Sequence, residues 1–195
     1  VAGVVSVHPD FTSIQRKVVE HFKSLGLKRV VAIGHRLDER PMTRRILEDF
    51  VIQVKELGMD GGLWELGGED SPSVRPRRLL VGDGEVELEG FLNSVPRPFG
   101  VYAFGDHIGF LVCEVAARLG LRVPRQLAVV GYGDNRVARF ANPPLTSVRS
   151  DARRIGQVAV ACGFSSSAAF ANYFQRHVGS SPGEVRKRGE VPCGG

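Results

Sequence analysis

With 195 residues, 43% of them hydrophobic, and a formal net charge of +5, the chain can bury one sizeable core, or one core and a small appendage. That excludes a disordered segment, and the charge admits a nucleic-acid partner without requiring one. Cys113, Cys162 and Cys193 are odd in number and widely spaced, which suggests neither a disulfide framework nor a metal site and fits a reducing cytoplasm. No apolar stretch approaches the ~20 residues of a membrane span and the opening VAGVVSVHPD lacks a basic, then apolar, leader pattern, so a soluble, cytoplasmic chain is expected.

VVSV at Val4 to Val7 and RVVAIG at Arg29 to Gly34 are β-branched runs stopped by His8-Pro9 and by Gly34, the pattern of buried strands. Between them Ile14, Val18, Phe22 and Leu25 recur every three or four positions and Gly26 follows, which predicts an amphipathic helix with a glycine stop. The grammar repeats. Ile46, Leu47, Phe50, Val51, Val54 and Leu57 form a helical face before Gly58, and a strand is expected over Gly61 to Leu66. Gly67 to Gly84 is rich in Gly, Pro and charge and is expected to be the main loop, with a brief pairing over Leu79 to Val81.

VELEGFLNSV reads as a helix ended by the Pro96 to Pro98 turn, and Gly100 to Phe104 as a strand. Ile108, Leu111, Val112, Val115 and Leu119 stripe the next helix, Pro124 breaks the chain, and Leu127 to Gly133 is a further strand. Strands alternating with helices of this length imply right-handed crossovers and a doubly wound parallel α/β sheet covered on both faces. Ligands of such sheets sit outside the carboxyl ends of the strands. That places a site at Gly34 to Arg40, Phe104 to His107 and Gly131 to Arg136.

VAVACGFSSSAAFANYFQRHVGSSPGEVR, from Val158 to Arg186, departs from this grammar. A helix from near Arg149 runs to Gly163, a left-handed stop, and Ser165 or Ser166 can cap a second helix. That second helix turns Phe170, Tyr173, Phe174 and Val178 inward and leaves Ser167, Ala168, Ala171, Asn172 and Gln175 outward. A small, polar outer face suits a recognition helix in the major groove, where Asn172 or Gln175 can bridge an adenine edge and Arg176 can reach phosphate. Ser181-Pro182-Gly183-Glu184 then opens a basic turn, Arg186-Lys187-Arg188, suited to backbone contacts. Geometry alone leaves a helical hairpin that merely closes the lobe as an equal reading.

Val158-Ala159, Cys162-Gly163-Phe164, Ser165 to Ser167, Phe170, Phe174, Gly179, Ser181-Pro182 and Arg186 resemble, in order, the second helix-turn-helix of AraC-type transcription regulators. RVVAIGH, LEGFLNSVPRPFGVYAFGDHIG, LRVPRQLAVVGYGDN and ANPPLTSVRSDARRIGQ resemble the sugar-sensing, periplasmic-binding-protein-like domain of LacI-type repressors. The combination is similar to xylose-operon activators. It implies a sensor lobe over residues 1–157 and a small helix-turn-helix with its tail over 158–195. By the same resemblance the chain is a DNA-binding regulator, not an enzyme, responsive to a sugar, with a pentose such as xylose as the expected effector. Double-stranded DNA is the expected partner and a second copy of the chain a candidate one, with no cofactor and no metal. Ser166, Ser167, Ala168, Ala171, Asn172, Gln175, Arg176, Arg186 and Arg188 are the DNA-reading candidates.

The chain also departs from the pattern it resembles. Where such sensors hold sugar hydroxyls with polar side chains at two strand ends, Gly105 and Gly133 stand here. This leaves Asp106, Asp134, Asn135 and Arg44 as polar ligand candidates. The chain begins near the crossover out of a first lobe, and Gln157 runs directly into the second helix-turn-helix unit, so half the cleft and one reading unit are expected to be absent.

A dinucleotide-binding enzyme is the rival from another class. Gly131-Tyr132-Gly133 follows a strand, but Arg136 stands where a third small residue belongs. His8, His21, His35, His107 and His177 are scattered without metal spacing and read as structural residues. Asp106 with Asp134 suits an acid/base pair and hydroxyl recognition equally. A third reading is a lobe that only dimerises.

Overall fold

The computed structural model describes residues 9–67 and 83–149, and Thr12–Arg149 forms one of two compact units. Helix α1 (Phe11–Ser24) leads into strand β1 (Arg29–His35), followed by a 3-10 turn (Leu37–Glu39), α2 (Pro41–Glu56) and β2 (Asp60–Leu66). Then come α3 (Asp83–Ser94), β3 (Phe99–Ala103), α4 (Asp106–Arg118), β4 (Leu127–Tyr132), a second 3-10 turn (Arg136–Phe140) and β5 (Thr146–Val148).

The five strands are parallel, in the order β2-β1-β3-β4-β5. Alternation along β1 sends Val31 and Ile33 to the face covered by α3 and α4, and Val30 and Ala32 to the face covered by α1 and α2. Period-two side-chain geometry thus divides the apolar residues into two cores, as the doubly wound reading expected. Trp64 of β2 stacks on Phe91 of α3 with ring centroids 4.4 Å apart. On the other face the buried Gln15 amide donates to the Ile46 carbonyl, and Gln53 Nε2 donates to Gln15 Oε1 at 3.1 Å, which knits α1 to α2.

The glycine stops work as the sequence suggested. Gly26 and Gly58 have φ of 72° and 78°, and the amide after each reaches back to a carbonyl five residues earlier, Leu27 to Phe22 at 3.3 Å and Met59 to Val54 at 3.2 Å. With the glycine amides themselves donating to the Lys23 and Lys55 carbonyls at 2.9 Å, each stop satisfies carbonyls that a helix end would leave orphaned, and Leu27 and Met59 are buried in the core.

Strands and helices fall where periodicity placed them, except that Leu25, read as part of the first helix's apolar stripe, lies beyond the end of α1 and is exposed, and that two elements differ. α3 takes in Asp83 and Gly84, which the loop expectation had included. β5 was not anticipated, because three residues after Pro143-Pro144 carry no alternation long enough to read. The expected strand at Val4 to Val7, the pairing at Leu79 to Val81 and everything expected beyond Arg149 lie outside the described residues.

Candidate functional site

Because all five strands run the same way, the connections after β1, β3 and β4 emerge at one end of the sheet. The order changes direction between β1 and β3: the chain leaves β1 for β2 on one side and returns to β3 on the other. A crevice at such a switch point is where the fold accommodates ligands. The Phe104 amide donates to the Ile33 carbonyl at 2.9 Å and fastens the β3 turn to β1.

Asp106 opens α4 and is fully buried. Its Oδ2 accepts from the Asn135 backbone amide at 2.5 Å, and its Oδ1 accepts from the Ser147 hydroxyl at 2.5 Å. Ser147 Oγ in turn accepts from the Asp134 amide at 3.0 Å, and the Gly133 amide donates to the Val148 carbonyl at 2.8 Å. A buried carboxylate needs such charge-assisted bonds, and here they tie the β3, β4 and β5 ends into one unit. Asp134 sits at φ 50° and accepts from Arg149 Nε at 2.6 Å. The acid/base reading of Asp106 with Asp134 therefore loses its footing, since one carboxylate has no exposed oxygen and the other is ion-paired.

Gly105 and Gly133, which stand where the resembled sensors carry polar side chains, have their side-chain space filled by neighbours. A Cβ on Gly105, at φ 133°, would stand 2.6 Å from His107 Cε1, and one on Gly133, at φ 126°, would stand 2.9 Å from Asn135 Nδ2. The imidazole and the amide occupy the space that side chains at 105 and 133 would take. Asn135 is exposed, so its amide is the polar group presented at the β4 turn.

On the β1 side Arg36, at φ 48°, donates its amide to the Leu66 carbonyl at 3.0 Å and pairs its guanidinium with Glu39. Arg44 is committed as well. Its guanidinium bridges Asp38 and Glu65, with 2.8 Å to Glu65 Oε2, and Glu65 Oε1 accepts from the Asp38 amide at 3.3 Å. Arg40 differs: half-buried at the start of α2, its guanidinium makes no ion pair or hydrogen bond among the described residues.

His35 ends β1 and His107 lies in the first turn of α4 on the neighbouring strand's connection. Partial burial, then Arg40, Arg36 and His107, lowers the His35 pKa to about 4. Burial and then Arg40 also lower His107, while Asp106 pulls it the other way. Both imidazoles are thus neutral at pH 7, each with one N–H donor and one acceptor nitrogen.

The structure brings Asp106, Asp134 and Asn135 together and places Arg44 across the sheet end, tied to Asp38 and Glu65. Sequence reasoning missed His35, Arg40, His107 and Ser147. The first three lie within the loops marked as ligand loops, but only the order of β1 beside β3 joins them. Ser147 gave no signal, since β5 itself was unread. The DNA-reading candidates from Ser166 to Arg188 lie outside the described residues. Burial pushes the Cys113 thiol up to about 11, the condition of an unreactive core residue. No helix among the described residues is long and apolar enough to cross a membrane.

A parallel sheet wrapped on both faces, with polar side chains gathered at its switch-point end, is the architecture of a periplasmic-binding-protein-like lobe. The family model of the periplasmic binding protein-like domain matches residues 19–165, and the chain belongs to that family. The model of a helix-turn-helix domain matches residues 144–188. Among curated relatives, the HTH-type transcriptional repressor PurR of Photorhabdus laumondii is 34% identical over 91 residues, covering 44% of this chain and 27% of that protein. The HTH-type transcriptional regulator CelR of Thermobifida fusca is 33% identical over 132 residues, covering 67% of this chain and 38% of that protein. The chain thus spans between 27% and 38% of the length of these two relatives, which are regulators and not enzymes. Its fold is similar to that of a LacI family transcriptional regulator from Bifidobacterium animalis subsp. lactis, with TM-score 0.64, 20% identity and coverage of 83% and 58% of the two chains. The xylose-binding transcription activator xylR is similar at TM-score 0.63 and 22% identity, over 79% of this chain and 39% of that one.

Proposed function

We propose that this chain is a cytoplasmic, sugar-responsive, DNA-binding transcription regulator with an AraC-type reading element and xylose as the first effector to test. One observation carries the reading: a lobe that matches the periplasmic binding protein-like domain over residues 19–165 shares a chain with a stretch that matches a helix-turn-helix domain at residues 144–188. The sensor occupies residues 1–157 and the reading element 158–195. Ser166, Ser167, Ala168, Ala171, Asn172 and Gln175 face the groove, Arg176, Arg186 and Arg188 face phosphates, and duplex DNA and a second copy of the chain are the partners. In the lobe, Asn135 and Asp134 meet the ligand, Asp106 holds their turn from behind, and Arg44 keeps the β1 and β2 ends in register.

Linkage supplies the test. A ligand that favours one DNA-binding state changes the affinity for DNA by the factor by which DNA changes the affinity for ligand, typically ~5- to 150-fold. Titrating a selected duplex with and without saturating xylose should move the DNA dissociation constant within that range. An unchanged constant with xylose bound would leave a lobe that binds ligand without regulating.

A further inference from the structure

We infer that the polar end of the sheet at β1 and β3 takes a ligand carrying a phosphate monoester, with the Arg40 guanidinium as counter-charge and the His35 and His107 imidazoles as hydrogen-bond donors. This rests on the reading of this end of the sheet as the ligand site, and it names the chemical class of that ligand.

The charge inventory carries the inference. Of the arginines on the β1 side, Arg36 is paired with Glu39, and Arg44 with Asp38 and Glu65. Those carboxylates are therefore occupied. Asp106, the acidic group beside His107, is buried with both oxygens engaged by Asn135 and Ser147. Arg40 is left as a half-buried cation with no acidic partner among the described residues. It is close enough to both imidazoles to depress their proton affinity, and at His107 it outweighs the adjacent Asp106.

A positive field without a counter-ion suits an anion. The Arg40 guanidinium supplies it, and the two neutral imidazoles, one on each connection flanking the switch point, add hydrogen-bond donors without charge. Guanidinium binds phosphate through two parallel N–H bonds, and each neutral imidazole adds one more donor. A neutral sugar would leave Arg40 uncompensated. An anion also raises the affinity of both imidazoles for protons, so its binding takes up protons as pH falls below 7.

Calorimetry on the full chain tests this with three probes at low salt: xylose 5-phosphate, xylose and inorganic phosphate. Xylose 5-phosphate should bind about tenfold or more tightly than xylose, with proton uptake that grows from pH 7.5 to 6. Arg40→Gln should remove that advantage. Arg125→Gln, which deletes an equal charge from the exposed segment before β4, at the opposite end of the sheet, should keep it. Saturable binding of inorganic phosphate alone, lost in Arg40→Gln, would assign the affinity to the anion; binding of only the sugar phosphate would require both parts of the ligand.

Equal or tighter binding of xylose would overturn the inference and leave the sugar-sensing reading intact. So would equal losses in the Arg40 and Arg125 variants, which would reduce the effect to net charge. If none of the three probes binds, both the inference and the ligand-site reading fall. Phosphate binding with no effect on DNA affinity would uphold the inference and remove the regulatory reading.

Discussion

The Ser147 hydroxyl, on the last strand, donates to Asp106 Oδ1 across 41 positions of sequence. Through that bond an edge strand of three residues, β5, fixes the turn after β4 and the start of α4 at once. One buried carboxylate thus ties together the ends of β3, β4 and β5. Removing the carboxylate leaves the half-buried Ser147 hydroxyl and the Asn135 backbone amide without their acceptor.

Asp106→Ala should therefore cost about 2–4 kcal/mol of unfolding free energy, and Ser147→Ala about 1–2 kcal/mol. Urea unfolding of the two single variants and the double variant measures this. The double variant should lose less than the sum, because both deletions break the same network. Strict additivity would mean that the two side chains do not share a bond.

Gly131 is required by the same carboxylate. A methyl group there would stand 2.3 Å from Asp106 Oδ1, so Gly131→Ala should destabilise by about 1–3 kcal/mol through overpacking. In an Asp106→Ala background the penalty should shrink to what the remaining contact with Leu145 Cδ2, at 2.9 Å, imposes. Thermal unfolding of the four-member cycle distinguishes this from a general loss of strand stability.

Much of this architecture was legible. Long periodic stripes, such as Ile108, Leu111, Val112 and Val115, mark helices because one apolar face must be buried. Runs such as Val30 to Ile33 mark central strands because both their faces are covered. The ligand end was legible as loops but not as a site. His35 and His107 lie 72 positions apart, and nothing local to either shows that β1 and β3 are neighbours. Gly105 and Gly133 read as missing polar groups, whereas positive φ and the folding-back of His107 and Asn135 fill those places. Such compensation depends on backbone direction, which residue identity alone does not specify.

His35 makes stability depend on pH. Its folded pKa, about 4, lies below the ordinary value of 6.5, so between those values the unfolded chain binds a proton that the folded chain refuses. Stability contributed by the neutral imidazole is full above pH 6.5 and declines as pH falls toward 4. The difference in unfolding free energy between the wild type and His35→Gln should shrink or reverse over that window and be flat above it. A difference that grows as pH falls would mean that a protonated His35 is stabilising, contrary to the surrounding Arg40 and Arg36.

On the proposed reading, Asn172 reads bases and the basic turn Arg186-Lys187-Arg188 holds the DNA backbone. Asn172→Ala should reduce discrimination between a selected duplex and a random one by about 1–3 kcal/mol. Charge reversal at Arg186 or Arg188 should weaken both duplexes alike. Competition binding with the two duplexes separates the effects, and a uniform loss in Asn172→Ala would assign that residue to backbone contact.

The most direct measurement is fluorescence anisotropy of the full chain against a selected pool of duplexes at two salt concentrations. A sequence-reading regulator should bind its selected duplex at least ~10³-fold more tightly than random DNA, with a salt slope corresponding to a few neutralised phosphates. Binding that is weak and equal for every duplex would contradict the central claim, and the chain would then be a ligand-binding lobe with no reader of sequence.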